Sequence, residues 1–206
     1  MPYNYLGTTF NPDSISFNDV LYAYSRGYFP MGDEDGTINW FDHEPRCIVP
    51  LKKDAIKIPR SLKQVINNGR FEIKTDKNFR AVIRNCSESH GETWITPEII
   101  SLYSDLHNKG FAHSVEAYYD GKLAGGLYGV ALKSAFFGES MFFKVPNASK
   151  VCVVFLHELL LKNNFRLFDI QMSTPLFKSF GAVEISTDEY QKMLKNALKK
   201  DSVFQS

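Results

Sequence analysis

Residues 113–143 read HSVEAYYDGKLAGGLYGVALKSAFFGESMFF, and the order of elements they encode decides the architecture. His113–Tyr119 alternates polar and apolar positions, Asp120-Gly121 supplies a hairpin turn, and Leu123–Val130 is the returning strand. A third strand follows over Ser134–Phe137 and Met141–Phe143, interrupted by a turn or bulge at Gly138. Toward the C-terminus, Ser149–Asn163 reads as a long helix and Phe165–Gln171 as a strand. Strand, turn, strand, strand, helix, strand is the order of an α/β (α+β) protein whose mixed sheet is flanked by helices, as in acyltransferase cores. A short helix over Pro175–Phe180, a strand over Ala182–Ile185 and a helix over Thr187–Lys199 close the chain.

Upstream, Phe17, Val20, Leu21 and Tyr24 recur at helical spacing after an Asp13-Ser14 start signal, and Gly27 ends that helix. After the acidic turn Asp33–Gly36, strands are expected over Ile38–Phe41 and Arg46–Leu51. Pro59 suits the first turn of a helix that ends at Asn67–Gly69; Phe71–Thr75 is strand-like and Asn78–Asn85 helical. Thr96, followed by Pro97, caps a helix that runs to Lys109-Gly110. Residues 1–50 are expected as a small N-terminal α/β domain and residues 51–206 as the larger one.

A chain of 206 residues with 44% hydrophobic and 23% charged residues is an ordinary globular protein of one or two domains, which excludes disordered and fibrous classes. No stretch approaches the ~18 apolar residues a membrane helix needs, and the N-terminus lacks the pattern of a signal peptide. Cys47, Cys86 and Cys152 are far apart, without metal-ligand spacing; they read as small buried hydrophobes in a reducing, cytoplasmic compartment, with no metal site. The net charge of +1 hides an asymmetry: residues 52–84 carry ten Lys or Arg against three acids, a local +7. Such a basic block on an otherwise acidic chain is the footprint of phosphate contact.

Three polar residues stand in apolar company. Glu139 lies in Ala135-Phe-Phe-Gly-Glu-Ser-Met-Phe-Phe143, where an isolated carboxylate loses several kcal/mol of hydration unless something pairs with it. Asp169 and Gln171 are two apart in a strand-like run, so both are expected on one face of that strand. A carboxylate beside a carboxamide there is a proton-handling pair, or a structural one at a strand end.

Seven motifs in order, Tyr24-Ser-Arg-Gly-Tyr-Phe-Pro30, Thr93-Trp-Ile-Thr96, His113-Ser-Val-Glu116, Gly125-Gly-Leu-Tyr-Gly-Val130, Gly138-Glu-Ser-Met-Phe142, Asn147-Ala-Ser-Lys150 and Asp169-Ile-Gln171, resemble those of the leucyl/phenylalanyl-tRNA-protein transferases. The resemblance implies a GNAT-like acyltransferase domain behind a small N-terminal domain. It also implies transfer of Leu or Phe, with Met as a further donor, from aminoacyl-tRNA to the α-amino group of proteins beginning with Arg or Lys, creating an N-degron for protein degradation. No cofactor or metal is implied, and the enzyme is expected as a monomer.

By the same resemblance, Asp169 with Gln171 polarises the attacking amine, and Glu139 positions the acceptor or the ester. Leu127, Phe136 and Leu156 match the amino-acid pocket. Trp94, supported by Tyr24 and Tyr103, stacks on the tRNA 3′-adenosine, and Arg60 and Lys63 contact the acceptor stem. The chain departs from the family pattern at residues 10–16, at Met31, at Leu127, and at Gln64, Asn67 and Asn68, where a basic cluster is usual. Two other readings compete: another GNAT-type acyltransferase, which lacks its pyrophosphate-cradling loop here, and a catalytically silent relative that binds tRNA or N-terminal residues.

Overall fold

The computed structural model describes residues 3–5, 15–89 and 93–206. The hairpin read from residues 113–143 is the spine of the molecule. Strands β6 (Ala112–Tyr119) and β7 (Lys122–Leu132) pair antiparallel, and positive φ at both Asp120 and Gly121 fits the tight turn between them. Strand β8 (Ala135–Phe143) pairs with β7, and helix α5 (Ala148–Lys162) then crosses over to β9 (Leu167–Asp169), which lies parallel to β8. A parallel pair demands such a crossover, and ten buried residues on α5 show the helix packed on nearly all sides.

Around that spine the chain adds β4 (Arg46–Ile48), β5 (Glu72–Thr75) and β10 (Val183–Ile185), giving a seven-stranded mixed sheet of order β10-β4-β9-β8-β7-β6-β5. A second sheet of three strands, β1-β3-β2, contains Tyr3–Tyr5, Ile38–His43 and Phe29–Gly32. Strand β2 is absent from the sequence reading because Pro30 breaks the strand signal; as an edge strand it tolerates the missing donor. Strand β4, within the first fifty residues, joins the large sheet and pairs with β9 and β10.

Helices cover both faces of the large sheet. On one face α1 (Phe17–Arg26), α3 (Phe79–Glu88), α4 (Pro97–Asn108) and α7 (Thr187–Ala197) enclose a core that includes Tyr24, Ile83, Tyr103, Tyr128, Phe137 and Leu194. On the other, α2 (Arg60–Asn67) and α5 enclose Leu62, Leu127, Phe136, Leu156 and Phe168, with α6 (Pro175–Ser179) beside them. Adjacent residues Phe136 and Phe137 fall in different cores, as the alternation of a strand requires.

The Asp13-Ser14 start signal, and residues 10–14 of the segment that departs from the family pattern, lie outside the described residues. Helix α1 is opened by Ser16, whose hydroxyl accepts from the Asp19 N–H (3.3 Å) while the Asp19 carboxylate accepts from the Ser16 N–H (2.9 Å). Thr96 and Pro97 start α4 as expected, with the Thr96 hydroxyl accepting from the Ile99 N–H (3.4 Å). All three cysteines are buried, and burial raises their thiols, to about 11 for Cys47 and about 12 for Cys86.

Candidate active site

The site forms where two parallel strands part. Strands β8 and β9 pair only over Ala135–Phe137 and Leu167–Asp169. Beyond that point β8 stays with β7, while the chain after Asp169 turns away through Gln171, whose φ is 55°. Between them opens a cavity of about 400 Å³, walled by Leu127, Met141, Leu156, Phe168, Ile170 and Phe177, with Glu139 and Gln171 in its lining. A crevice at the carboxyl ends of parallel strands is where mixed α/β sheets commonly hold ligands.

Glu139 is aimed by a bulge. Tyr128 pairs with Ser140 and Gly129 with Gly138, so Glu139 is the extra residue on β8. Gly129 permits it, since a Cβ there would lie 2.6 Å from the Phe136 ring and would meet the Phe137 carbonyl. The carboxylate accepts from the hydroxyls of Tyr24 on α1 (2.8 Å) and Tyr103 on α4 (3.0 Å), and from the Gln171 carboxamide (3.3 Å). Burial pushes its pKa up from 4.5 to about 7, against the pull of the two tyrosine hydrogen bonds. A carboxyl so placed changes protonation state near neutral pH, which suits it to acid–base work.

Asp169 has a different setting. It is fully buried and absent from the cavity lining. Arg46 donates through Nε to both carboxylate oxygens (3.0 and 3.1 Å) and through Nη2 to Oδ2 (2.7 Å). The Tyr190 hydroxyl on α7 donates to Oδ2 (2.7 Å) and the Gln171 N–H to Oδ1 (2.8 Å). Arg46 also donates to the Gly27 carbonyl (2.9 Å), and its guanidinium lies over the rings of Phe29 (5.1 Å) and Tyr190 (4.5 Å). Asp169 and Gln171 are therefore not two positions on one strand face: β9 stops at Asp169, and the two residues meet through the turn that follows.

The other residues named from the sequence divide in the same way. Leu127 and Leu156 line the cavity, whereas Phe136 is fully buried and meets the lining residue Phe168 edge-on at 5.8 Å. Tyr24 and Tyr103 are fully buried, so neither offers a face to a base; both hydroxyls are at Glu139 instead. Trp94 is half-buried against the first core, outside the cavity lining, and its carbonyl accepts from the Gly32 N–H (3.0 Å). Arg60 and Lys63 are exposed on α2, with Gln64, Asn67 and Asn68 beside them. Lys63 joins Lys53, Lys57 and His157 around a second, open cavity of about 600 Å³. Nine of the ten basic residues in 52–84 are exposed and Lys74 is half-buried.

Arg46 is the residue the sequence reading missed. Its signal was the one that singled out Glu139: a charge in an otherwise apolar strand, Arg46-Cys-Ile-Val49.

An apolar cavity with a carboxyl and a carboxamide in its lining can hold an apolar side chain beside a group suited to acid–base work, as an enzyme site requires. Comparison with known proteins gives the family. The model of the leucyl/phenylalanyl-tRNA protein transferases matches residues 50–195, and that of their N-terminal domain matches residues 13–42. Among curated relatives, the leucyl/phenylalanyl-tRNA–protein transferase of Prosthecochloris aestuarii is 45% identical over 194 residues, covering 92% of this chain and 99% of the relative. Those of Chlorobaculum parvum (46% over 194 residues; 92% and 99%) and Herpetosiphon aurantiacus (47% over 185 residues; 90% and 95%) agree. The chain belongs to the leucyl/phenylalanyl-tRNA protein transferase family.

Proposed function

We propose that this protein transfers Leu or Phe from its aminoacyl-tRNA to the α-amino group of proteins that begin with Arg or Lys, and that it does so as a monomer in the cytoplasm, where such a product is an N-degron. The observation that carries the reading is the apolar cavity of about 400 Å³ with Glu139 and Gln171 at its polar end. It matches a substrate with an apolar side chain and a reactive ester beside it.

The reaction is aminolysis of an ester, which needs no added energy source but needs the attacking nitrogen to be neutral. A free α-amino group has a pKa near ~8, so a group that takes its proton during attack lowers the barrier directly. Leu127 and Leu156 hold the side chain, and backbone donors around the bulge receive the oxyanion. Since one methylene is worth only ~1–3 kcal/mol, the pocket separates apolar donors moderately, leaving room for Met. Trp94 supplies the aromatic surface for the terminal adenosine. Arg60 and Lys63, with Lys53 and Lys57, meet acceptor-stem phosphates, which orient the tRNA without reading its sequence.

The test is transfer of labelled Leu, Phe or Met from tRNA to peptides that begin with Arg, Lys or an acidic residue. Label on the Arg and Lys peptides supports the proposal. Label on the acidic peptide alone moves the protein to another acceptor class, and label on none, with tRNA still bound, supports a catalytically silent relative.

A further inference from the structure

The hydroxyl and carboxylate oxygens around Glu139 form a closed triangle. Tyr24 Oη is 2.8 Å from Glu139 Oε1, Tyr103 Oη is 3.0 Å from Oε2, and the two tyrosine oxygens are 2.5 Å apart. Each of these contacts needs one proton. The two tyrosines bring one each, and an ionised carboxylate brings none, so the ionised triangle has three contacts and two protons. A third proton, taken by Glu139, completes it. Asp169 presents the opposite inventory: among the described residues all five of its contacts come from donors that already hold their protons, and it is not in the cavity lining.

We infer that Glu139 is the proton acceptor of the transfer reaction, and that Arg46 and Asp169 are positioning residues that act through Gln171. The inference rests on the transferase reading above and reverses the roles that the family resemblance implies for the two carboxylates. The neutral amine's lone pair forms the N–C bond to the ester carbonyl carbon, and the carbonyl electron pair moves onto its oxygen. One N–H proton passes to Glu139, where it supplies the missing proton of the triangle. The oxyanion then re-forms the carbonyl, the bond from carbon to the ribose oxygen breaks, and that oxygen takes the proton back from Glu139. The products are an amide and a tRNA with a free ribose hydroxyl, with Glu139 returned to its starting state.

Positioning follows from the contacts of Arg46. Its guanidinium fixes Asp169, the Asp169 carboxylate holds the N–H of Gln171 in a left-handed turn, and that turn directs the carboxamide to Glu139. The titratable and polar groups that face Glu139 are Tyr24 from α1, Tyr103 from α4, Tyr128 from β7, Gln171, Asp169 from β9 and Arg46 from β4. Tyr24, Tyr103 and Arg46 favour its charged form, whereas burial and Asp169 disfavour it.

Single-turnover transfer to a saturating peptide beginning with Arg, followed from about pH 5.5 to about pH 9, reads these roles directly. Glu139→Gln is expected to lose ~10²-fold or more in rate, together with the rise through neutral pH; any rise left over belongs to the peptide amine. Asp169→Asn is expected to lower that rate while keeping the rise, moved to lower pH because Arg46 is then unbalanced. Tyr103→Phe is expected to move the rise to higher pH, since it removes a hydrogen bond to the carboxylate. These opposite shifts are not the mark of a merely structural role. Should Asp169→Asn fail to fold, Tyr190→Phe removes one donor from Asp169 without a change of charge, and the rise is expected to remain. The inference is overturned if Glu139→Gln keeps wild-type rate and pH dependence, or if the variants at Asp169 or Tyr190 lose the rise while Glu139→Gln keeps it. Carbon NMR of the Glu139 carboxyl gives a readout free of activity: a signal that does not titrate over this range overturns the inference alone. Failure of the wild type to transfer any amino acid, with that signal titrating, overturns the transferase reading instead.

Discussion

Replacing Arg46 by Met removes a guanidinium of similar length that is 1% exposed and touches four elements of the fold. Asp169 loses three of its five hydrogen-bonding contacts and its only ion-pair partner among the described residues, while the Gly27 carbonyl loses a donor. Stranding one member of a buried ion pair costs ~3–5 kcal/mol. At ~2–4 °C per kcal/mol for a chain of this length, Tm falls by ~6–20 °C. Calorimetry or far-UV circular dichroism of the purified variant measures this. The double variant R46M/D169L, which replaces the pair by apolar side chains, is expected to recover most of the lost stability. It is not expected to recover activity, because the Gln171 N–H has then lost the acceptor that holds its turn. An Arg46→Met Tm within about 2 °C of wild type, or a double variant no more stable than the single one, refutes the reasoning.

Other consequences can be checked separately. Because the folded-state pKa of Glu139 is raised from 4.5 to about 7, the native state holds more protons than the unfolded chain between those values. The contribution of this group to stability is then full below about pH 4.5 and is lost as pH rises through about 7. Glu139→Gln, immune to that loss, is expected to exceed wild type by about 3 kcal/mol at about pH 8 and to match it near pH 4, read from urea unfolding at both values. Gly125→Ala places a Cβ 2.6 Å from the Ala148 Cβ and 3.0 Å from both the Phe142 carbonyl oxygen and the Ser149 N, pushing α5 off the sheet; urea unfolding is expected to show a loss of ~1–3 kcal/mol. Leu127→Trp fills the cavity and is expected to raise KM for Phe-tRNA by ~10-fold and for Leu-tRNA by less, measured in the transfer assay.

Sequence patterns reported local structure well and long-range partners poorly. The hairpin at Asp120-Gly121, the cap at Thr96 and the long apolar α5 each depend on residues close in the chain, and each is present. The interruption of β8 was legible because a glycine sat inside a strand pattern; that the bulge delivers Glu139 follows only from its register with β7. Tyr24 and Tyr103 read as aromatics at helical spacing, and nothing local says that hydroxyls from α1 and α4 converge on one carboxylate 115 and 36 residues away. Asp169 and Gln171 are legible as a pair, but their geometry is not, because a left-handed turn at a glutamine carries no glycine to announce it. Arg46 escaped for a similar reason: its partner lies 123 residues further on.

The most direct measurement is a structure of the protein with a non-reactive phenylalanyl-adenosine analogue in which an amide replaces the ester. The account predicts the phenyl ring between Leu127, Leu156 and Phe168, with the amide within hydrogen-bonding reach of Gln171 or Glu139. A ring bound outside that cavity, or an amide directed away from Glu139, would contradict it.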